Sequence, residues 1–512
     1  MPSGARKTSF RLWRFLGVGA LCCLPASLSF SAGAERVTVD FAYVEEIAKS
    51  LAQKPYAPPA AIPESLQSID YDQYRDIRFN PIKALWADED LPFRIEFFHL
   101  GYLYRDSVIV NETTATHKQK IPYSSDLFDY GKNNDLATDL PSNLGYAGIR
   151  ILYPLNDPNV FDEVAVFQGG SYFRMLSRGQ VWGLSSRGLA INTGTPAGES
   201  FPLFREFWLR KPKPEDRELV LYALLDGKWA TGAYEFTLLP GDPTTMKIRA
   251  TLYFRQTPAR VGLAPFSSMF WYGEVSLNRP SDYRPEVHDS DNLVIQSSSG
   301  EFLSRPLLNP KALSESFFEF DGVQGWGLLQ RDRVYGNYED IEAAYHRRPG
   351  SWVVPKSGFG SGSVYLLELP VSVETEDNIA AMWLPDPMPE PQVPYSFSYD
   401  LSTPTSNPSP NGWVQATRQG RALDGRHQIV IDWGGGNLPN LAASENIEVV
   451  LTTTPEDLVE EFTLEKNPYN DSWRLVLYLR DRTEEDSEGI LRAFLRFNDQ
   501  ILTETWTLPW KP

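Results

Sequence analysis

Residues 246–255, MKIRATLYFR, alternate apolar and polar side chains without a break. Ile248, Ala250, Leu252 and Phe254 fall on one side, and Lys247, Arg249, Thr251 and Tyr253 on the other. A period of two belongs to an extended strand with one face turned to a core; a helix would scatter the same residues around its axis. ELVLYALL (218–225) and AYEFTLL (233–239) read as further strands, bounded by Gly and Asp turns. The chain carries 40 prolines and 36 glycines, and strand signals separated by turns recur to about residue 384. This pattern predicts an all-β protein built on a large sandwich. With 512 residues, there is material for two or more domains.

The first 34 residues are set aside as an export signal. Arg6, Lys7, Arg11 and Arg14 precede a short apolar run, FLGVGALCCL (15–24), and AGA (32–34) offers a small-x-small cleavage site before Glu35. The apolar run is too short to span a membrane, and no paired arginines precede it, which favours a Sec route. Leu21 precedes Cys22 where a lipoprotein site needs a small residue. Both cysteines, Cys22 and Cys23, fall inside this segment, so the mature chain has none to pair. Removing the four positive residues takes the formal charge from −18 to −22. Such an excess of acids argues against nucleic acid or anionic membrane as a partner. It is compatible with a neutral partner such as a glucan, and the whole suits a bacterial periplasm.

Near the mature start, DFAYVEEIAKSLAQK (40–54) sets Val44, Ile47, Ala48 and Leu51 at helical spacing, with Asp40 as N-cap. A proline-rich linker (55–63) and a short helix at 71–77 follow. PDPMPEPQVP (385–394), with five prolines in ten residues, is the clearest linker in the chain. Beyond it HQIVIDW (427–433), NIEVVLTTT (446–454), a hairpin 459–465/473–480 and the segment from LRAFLRF to LTETWTL fit an immunoglobulin-like sandwich.

The five histidines, at 99, 117, 288, 346 and 427, show no metal-ligand spacing. GFGSGS (358–363) leads into a strand, so it reads as a turn and not as a phosphate loop. DSDNLVIQSSSG (289–300) lacks the glycine and the final acid of a calcium loop. No Ser-His-Asp order or nucleophile elbow is present. Carboxylates remain. In ETEDNIAAMW (374–383), Glu374 and Asp377 sit where an apolar run ends, and in YRPEVHDSDN (283–292) Asp289 sits beside His288. Two readings stand for each cluster. Loop acids cap turns. Glycoside hydrolysis needs one proton donor and one proton acceptor, and a donor is kept protonated by burial or a neighbouring carboxylate. Residues 374 and 377 converge only if the chain turns between them. YHRRPGSW (345–352) joins aromatics to two arginines, as surface loops and sugar-binding edges both do.

GGSYFRMLSRGQVWGLSSRGLAINT (169–193), FREFWLRKPKP (204–214), YALLDGKWATGAYEF (222–236), GLAPFSSMF (262–270), YRPEVHDSD (283–291), RPLLNP (305–310), GWGLLQRDR (325–333), YHRRPGSWV (345–353) and ETEDNIAAMW together resemble the OpgG/OpgD (MdoG/MdoD) family of periplasmic glucan biosynthesis proteins, closest to the G type. The resemblance runs over essentially the whole mature chain. It implies a large galactose-mutarotase-like β-sandwich over 35–384, the linker at 385–394 and an immunoglobulin-like domain over 395–512. It implies a role in osmoregulated periplasmic glucan synthesis and an inverting β-1,2-glucanase activity. It assigns Asp377 as general acid, Glu374 as a further essential acid, and Asp289 as the acid drawing a proton from water through a relay. Tyr345 is implied as an aromatic of the substrate cleft, there from the chain itself or a neighbouring subunit; His288, from its place beside Asp289, is expected as a further substrate contact. Inverting carboxyl pairs stand roughly 6.5–9.5 Å apart, and a relay of waters allows more. No metal or cofactor is expected. The expected partner is β-1,2-glucan, with a membrane glucosyltransferase and a second copy of the chain as further candidates. The alternative function is a non-catalytic scaffold that holds glucan for export and branching.

Overall fold

The computed structural model describes residues 34–138, 140–480 and 488–510. The export signal read at 1–34 lies outside them except for Ala34. No helix among the described residues is long and apolar enough to cross a membrane.

The protein is all-β. Its two main layers are a ten-stranded and a fifteen-stranded sheet. Phe167, on the strand Asp162–Gln168 of the smaller sheet, meets Phe207 and Phe236 of the larger sheet at ring-centroid distances of 5.4 and 5.1 Å. At this point the two layers are joined by aromatic side chains meeting edge to face, within a core that is otherwise largely aliphatic.

MKIRATLYFR forms the strand Thr245–Phe254, and its register explains the alternation. Met246, Ile248, Ala250, Leu252 and Phe254 enter the main core. Lys247 and Arg249 are exposed. Tyr253 is buried instead, beneath the N-terminal helix Phe41–Ala52. That helix starts at Asp40, whose side chain accepts the Tyr43 N–H at 2.9 Å, and lays Val44, Ala48 and Ala52 on Trp208, Tyr222 and Ala233. The strand Leu219–Asp226 lies between this helix and the core. It is buried along its whole length, which is why it is apolar from Leu219 to Leu225 and does not alternate. The helix expected at 71–77 is Tyr71–Asp76, closed by a capping box on Asp70.

A second core gathers Val414, Ile431, Trp433, Trp473, Leu475, Ala493, Trp506 and Leu508. It lies between a four-stranded sheet and the strands Glu448–Thr454, Gly489–Phe497 and Thr505–Trp510, the layout of an immunoglobulin-like sandwich. Thr505–Trp510 also pairs in parallel with Phe302–Pro306, so the large sheet runs on into the second sandwich. The proline-rich stretch 385–394 requires a correction as a domain divider. Ile379–Pro385 belongs to the ten-stranded sheet. Tyr395–Ser402, just past the prolines, pairs on both sides within the fifteen-stranded sheet, from Thr245↔Ser402 to Leu252↔Tyr395 and with Ser351–Ser357. The prolines mark a crossover between the two layers of one sandwich, and the passage to the second core comes after Ser402.

Candidate active site

The site is assembled at one end of the strand Val261–Ser268, which runs between Ile379–Pro385 and Ser185–Arg187 in the ten-stranded sheet. Two loops fasten to consecutive residues just beyond it. The Asp289 N–H donates to the Met269 carbonyl at 2.8 Å. One residue on, Asn378 brackets Phe270: its Oδ1 accepts the Phe270 N–H at 2.8 Å, and its Nδ2 donates to the carbonyls of Phe270 and Leu369, both at 3.0 Å. Asn378 is 1% exposed, so these bonds are shielded from water. Asp289 and Asp377, far apart in sequence, are thus held on neighbouring rungs. Asp377 is exposed and makes no ion pair among the described residues.

Asp289 is 6% exposed and accepts a hydrogen bond from Arg348 Nη1. Burial pushes its carboxyl up from the usual range; the Arg348 guanidinium and Arg174 work against this, and the charge of Asp377 adds to it. Arg348 also lies 4.1 Å over the Tyr345 ring. The Tyr345 hydroxyl donates to Glu374 Oε2 at 2.6 Å, and Arg284 Nη1 reaches the same oxygen at 2.7 Å. Burial, then Glu374, raises Tyr345 far above its ordinary value, so the phenol stays a donor. These contacts lie within one chain: Tyr345 is 2% exposed against its own Glu374. Arg284 is itself set by Asp282 and Asp340, each at 2.9 Å.

His288 is a correction. Expected at the sugar cleft, it is fully buried, stacked on Phe270 at 5.3 Å. Gln330 Nε2 donates to the carbonyls of His288 (2.9 Å) and Tyr345 (3.1 Å), which leaves Gln330 Oε1 to accept from His288 Nδ1 at 2.8 Å. His288 Nε2 meets Glu286 at 2.8 Å. Burial disfavours the imidazolium, but the bond to Glu286 and the charges of Glu286 and Asp291 outweigh it and raise the pKa. His288 therefore ties the Asp289 loop to the Tyr345 loop from behind and cannot touch a ligand in the groove.

That groove runs across the outer face of the same sheet. A cavity of about 540 Å³ is lined by Phe98, Tyr104, Arg150, Tyr172, Arg174 and Trp182. It shares Phe98, Tyr104, Arg150 and Gln168 with a further 480 Å³ that reaches Tyr74 and Arg78. The strand Tyr172–Met175 joins groove to acids: Tyr172 lies within electrostatic reach of Asp377, and Arg174 within reach of Asp289. Arg150 is offset by Glu96 and Glu163, and Trp182 Nε1 donates to Glu163. Aromatic rings set among polar side chains are what a bound sugar polymer stacks on and hydrogen-bonds to.

The structure thus brings together Asp377, Asp289, Glu374 and Tyr345 and withdraws His288. Sequence reasoning missed Asn378, Gln330 and the individual parts of Arg348, Arg284 and Tyr172. Asn378 directly follows Asp377 in a turn-prone T-E-D-N, where an asparagine reads as a turn former.

The profile of a family described as "Periplasmic glucan biosynthesis protein, MdoG" matches residues 39–510. "Glucans biosynthesis protein G" of Ralstonia nicotianae is 40% identical over 505 residues, covering 96% of this chain and 98% of that protein.

Proposed function

The chain belongs to the periplasmic glucan biosynthesis protein family, and from that membership we propose that it cleaves the β-1,2-glucan backbone as an inverting glucanase during glucan biosynthesis. The observation that carries the reading is the shared strand: the residues that line the groove, Tyr172 and Arg174, are those within reach of Asp377 and Asp289. A glucan lying in the groove presents a glycosidic oxygen to Asp377. Asp377 then gives its proton to the bridging oxygen as the glycosidic bond breaks. Water attacks the anomeric carbon from the opposite face and loses a proton towards Asp289, through intervening hydroxyls or waters. Arg348 holds Asp289 ready as the ionised acceptor. Glu374, fixed by Arg284 and Tyr345, shapes the acid side of the cleft. The reaction consumes one water per bond. The family description and the export signal read in the sequence support a periplasmic location.

A second reading has its own support. Asp289 and Glu374 are both paired with arginines, as the fixed polar wall of a binding cleft would be. In that reading the protein holds glucan for export or branching, with a membrane glucosyltransferase as neighbour.

Purified mature protein incubated with linear β-1,2-glucan, beside an Asp377→Asn variant, separates the two. The glucanase reading expects chain shortening by the parent, release of the α-anomer, and no shortening by the variant, which still binds polymer. Cleavage by the variant at the parental rate would remove Asp377 from its role. Binding by both without shortening by either would leave the scaffold.

A further inference from the structure

The segment GWGLLQRDR leaves the strand Val323–Leu329 and enters a loop that the groove does not use. Asp291 Oδ2 accepts the backbone N–H groups of Arg331 (2.8 Å) and Asp332 (3.1 Å), which fixes the start of this loop. Arg331 and Arg333, two residues apart, both line a separate cavity of about 200 Å³. Its far wall is the chain passing to the second sandwich, with Thr405, Asn407 and Trp413. No aspartate or glutamate lines it.

The unpartnered groups here are donors. The Arg331 side chain is 5% exposed. Its Nη2 pairs with Glu504 at 2.8 Å and its Nη1 donates to the Val414 carbonyl at 3.0 Å, but its Nε–H has no partner. Asn407 Oδ1 accepts the Ser409 N–H at 3.1 Å, while its buried Nδ2 has none. Arg333 makes no ion pair among the described residues; its Nη1 donates to the Arg348 carbonyl. Burial draws the Arg333 guanidinium below its ordinary value, with Asp291, Tyr338 and Asp332 acting the other way. A buried donor left unpaired costs about 1–3 kcal/mol. Two such donors, on residues that line one acid-free cavity together with the guanidinium of Arg333, point to an acceptor as the missing partner in a chain of net charge −18.

We propose that this cavity binds a small oxyanion, a phosphate group free or as a monoester, on Arg333, the Arg331 Nε–H and the Asn407 amide. The anion reaches the candidate active site in two steps: Arg333 holds the backbone of Arg348, and Arg348 holds Asp289. Gln330, also in the cavity wall, fixes the carbonyls of His288 and Tyr345. An effect of the anion on glucan cleavage rests on the proposed function; its binding does not.

The test uses the full mature chain at constant chloride. Inorganic phosphate and methyl phosphate are titrated by calorimetry and by phosphorus NMR. Asn407→Asp keeps an oxygen for the Ser409 N–H and places a carboxylate in the cavity; Arg333→Gln removes the unpaired charge. Melting without phosphate identifies any misfolded variant. Saturable one-site binding by the parent is expected, weakened about tenfold or more in both variants, which corresponds to about 1.4 kcal/mol. Binding of inorganic phosphate alone makes the occupant a free ion; equal or tighter binding of methyl phosphate makes it a phosphorylated molecule. Absence of saturable binding would mean a cavity holding only water and would overturn the proposal. So would a folded Asn407→Asp variant that binds as tightly as the parent. Phosphate binding by a protein that cleaves no glucan would refute the proposed function and leave this site standing.

Discussion

Replacing Arg348 by methionine tests how Asp289 is held. The substitution keeps an apolar stem of similar reach and removes three interactions. Loss of one partner from a buried ion pair costs about 3–5 kcal/mol, and the partial exposure of Arg348, 19%, reduces this to about 2 kcal/mol. The cation–π contact with Tyr345 at 4.1 Å adds about 0.5–1 kcal/mol. The hydrogen bond from Nε to the Ala343 carbonyl at 3.2 Å adds about 1 kcal/mol. The expected loss at neutral pH is about 4 kcal/mol. Its pH dependence is the sharper part. Burial raises the Asp289 carboxyl in the folded protein above its unfolded value of about 3.9, and Arg348 opposes that rise. A raised carboxyl makes the folded state bind the proton more readily, so its contribution to stability falls as pH rises from the unfolded towards the folded pKa. Without Arg348 the folded pKa climbs further, and the extra loss accumulates above the parental value. Below about pH 4 the carboxyl is protonated with or without Arg348, so only the contacts to Tyr345 and Ala343 are missed, about 1.5–2 kcal/mol. Urea unfolding of parent and variant at about pH 4 and about pH 7.5 measures the difference. If glucan is cleaved, the acid limb of the pH–rate profile moves to higher pH in the variant. An equal loss of stability at both pH values would refute the claim that Arg348 acts on a buried Asp289 charge.

Two further predictions concern the frame behind the acids. Asn378→Ala leaves the N–H and carbonyl of Phe270 and the carbonyl of Leu369 without their partner, and unfolding in denaturant should show a loss of about 2–4 kcal/mol. In the same variant glucan shortening should fall more steeply than glucan binding, because Asp377 is freed from its anchor while the groove is untouched. His288→Gln should show the opposite pH trend to the Arg348 variant. The raised pKa of His288 contributes stability that is complete below the unfolded value of about 6.5 and is lost as pH rises through the folded value. Thermal melts should therefore show the deficit of the variant largest at about pH 5.5 and smallest at about pH 9.

The fold was legible where one physical cause wrote the pattern. Thr245–Phe254 alternates because one face meets the core, and its buried exceptions on the polar face have remote partners: Tyr253 lies under the N-terminal helix, and the Thr251 hydroxyl meets that of Ser396 at 2.9 Å. The proline run 385–394 reads as a domain linker in the sequence because prolines end strand pairing in the same way whether the chain leaves a domain or only changes sheets. The partners that tell these apart, Thr245–Phe254 and Ser351–Ser357 on either side of Tyr395–Ser402, are remote in sequence.

The site was legible as residue types and illegible as geometry, for a related reason. A polar loop such as HDSDN looks exposed, yet His288 is sealed by Phe270 and Gln330, which arrive from two other segments, and by Glu286 two residues before it. The two acids that the groove borders come together only because Met269 and Phe270 offer consecutive backbone groups, one bonded to the Asp289 N–H and the other to the Asn378 side chain. The arrangement therefore depends on a residue with no chemistry of its own in the proposed reaction. Aspartate at 378 would keep the acceptor for Phe270 N–H but lose both donors, and leucine would lose all three bonds. Either change should misplace Asp377 while every acid in the sequence remains, which is why counting carboxylates along a chain cannot find such a site and tracing which side chains hold which backbone can.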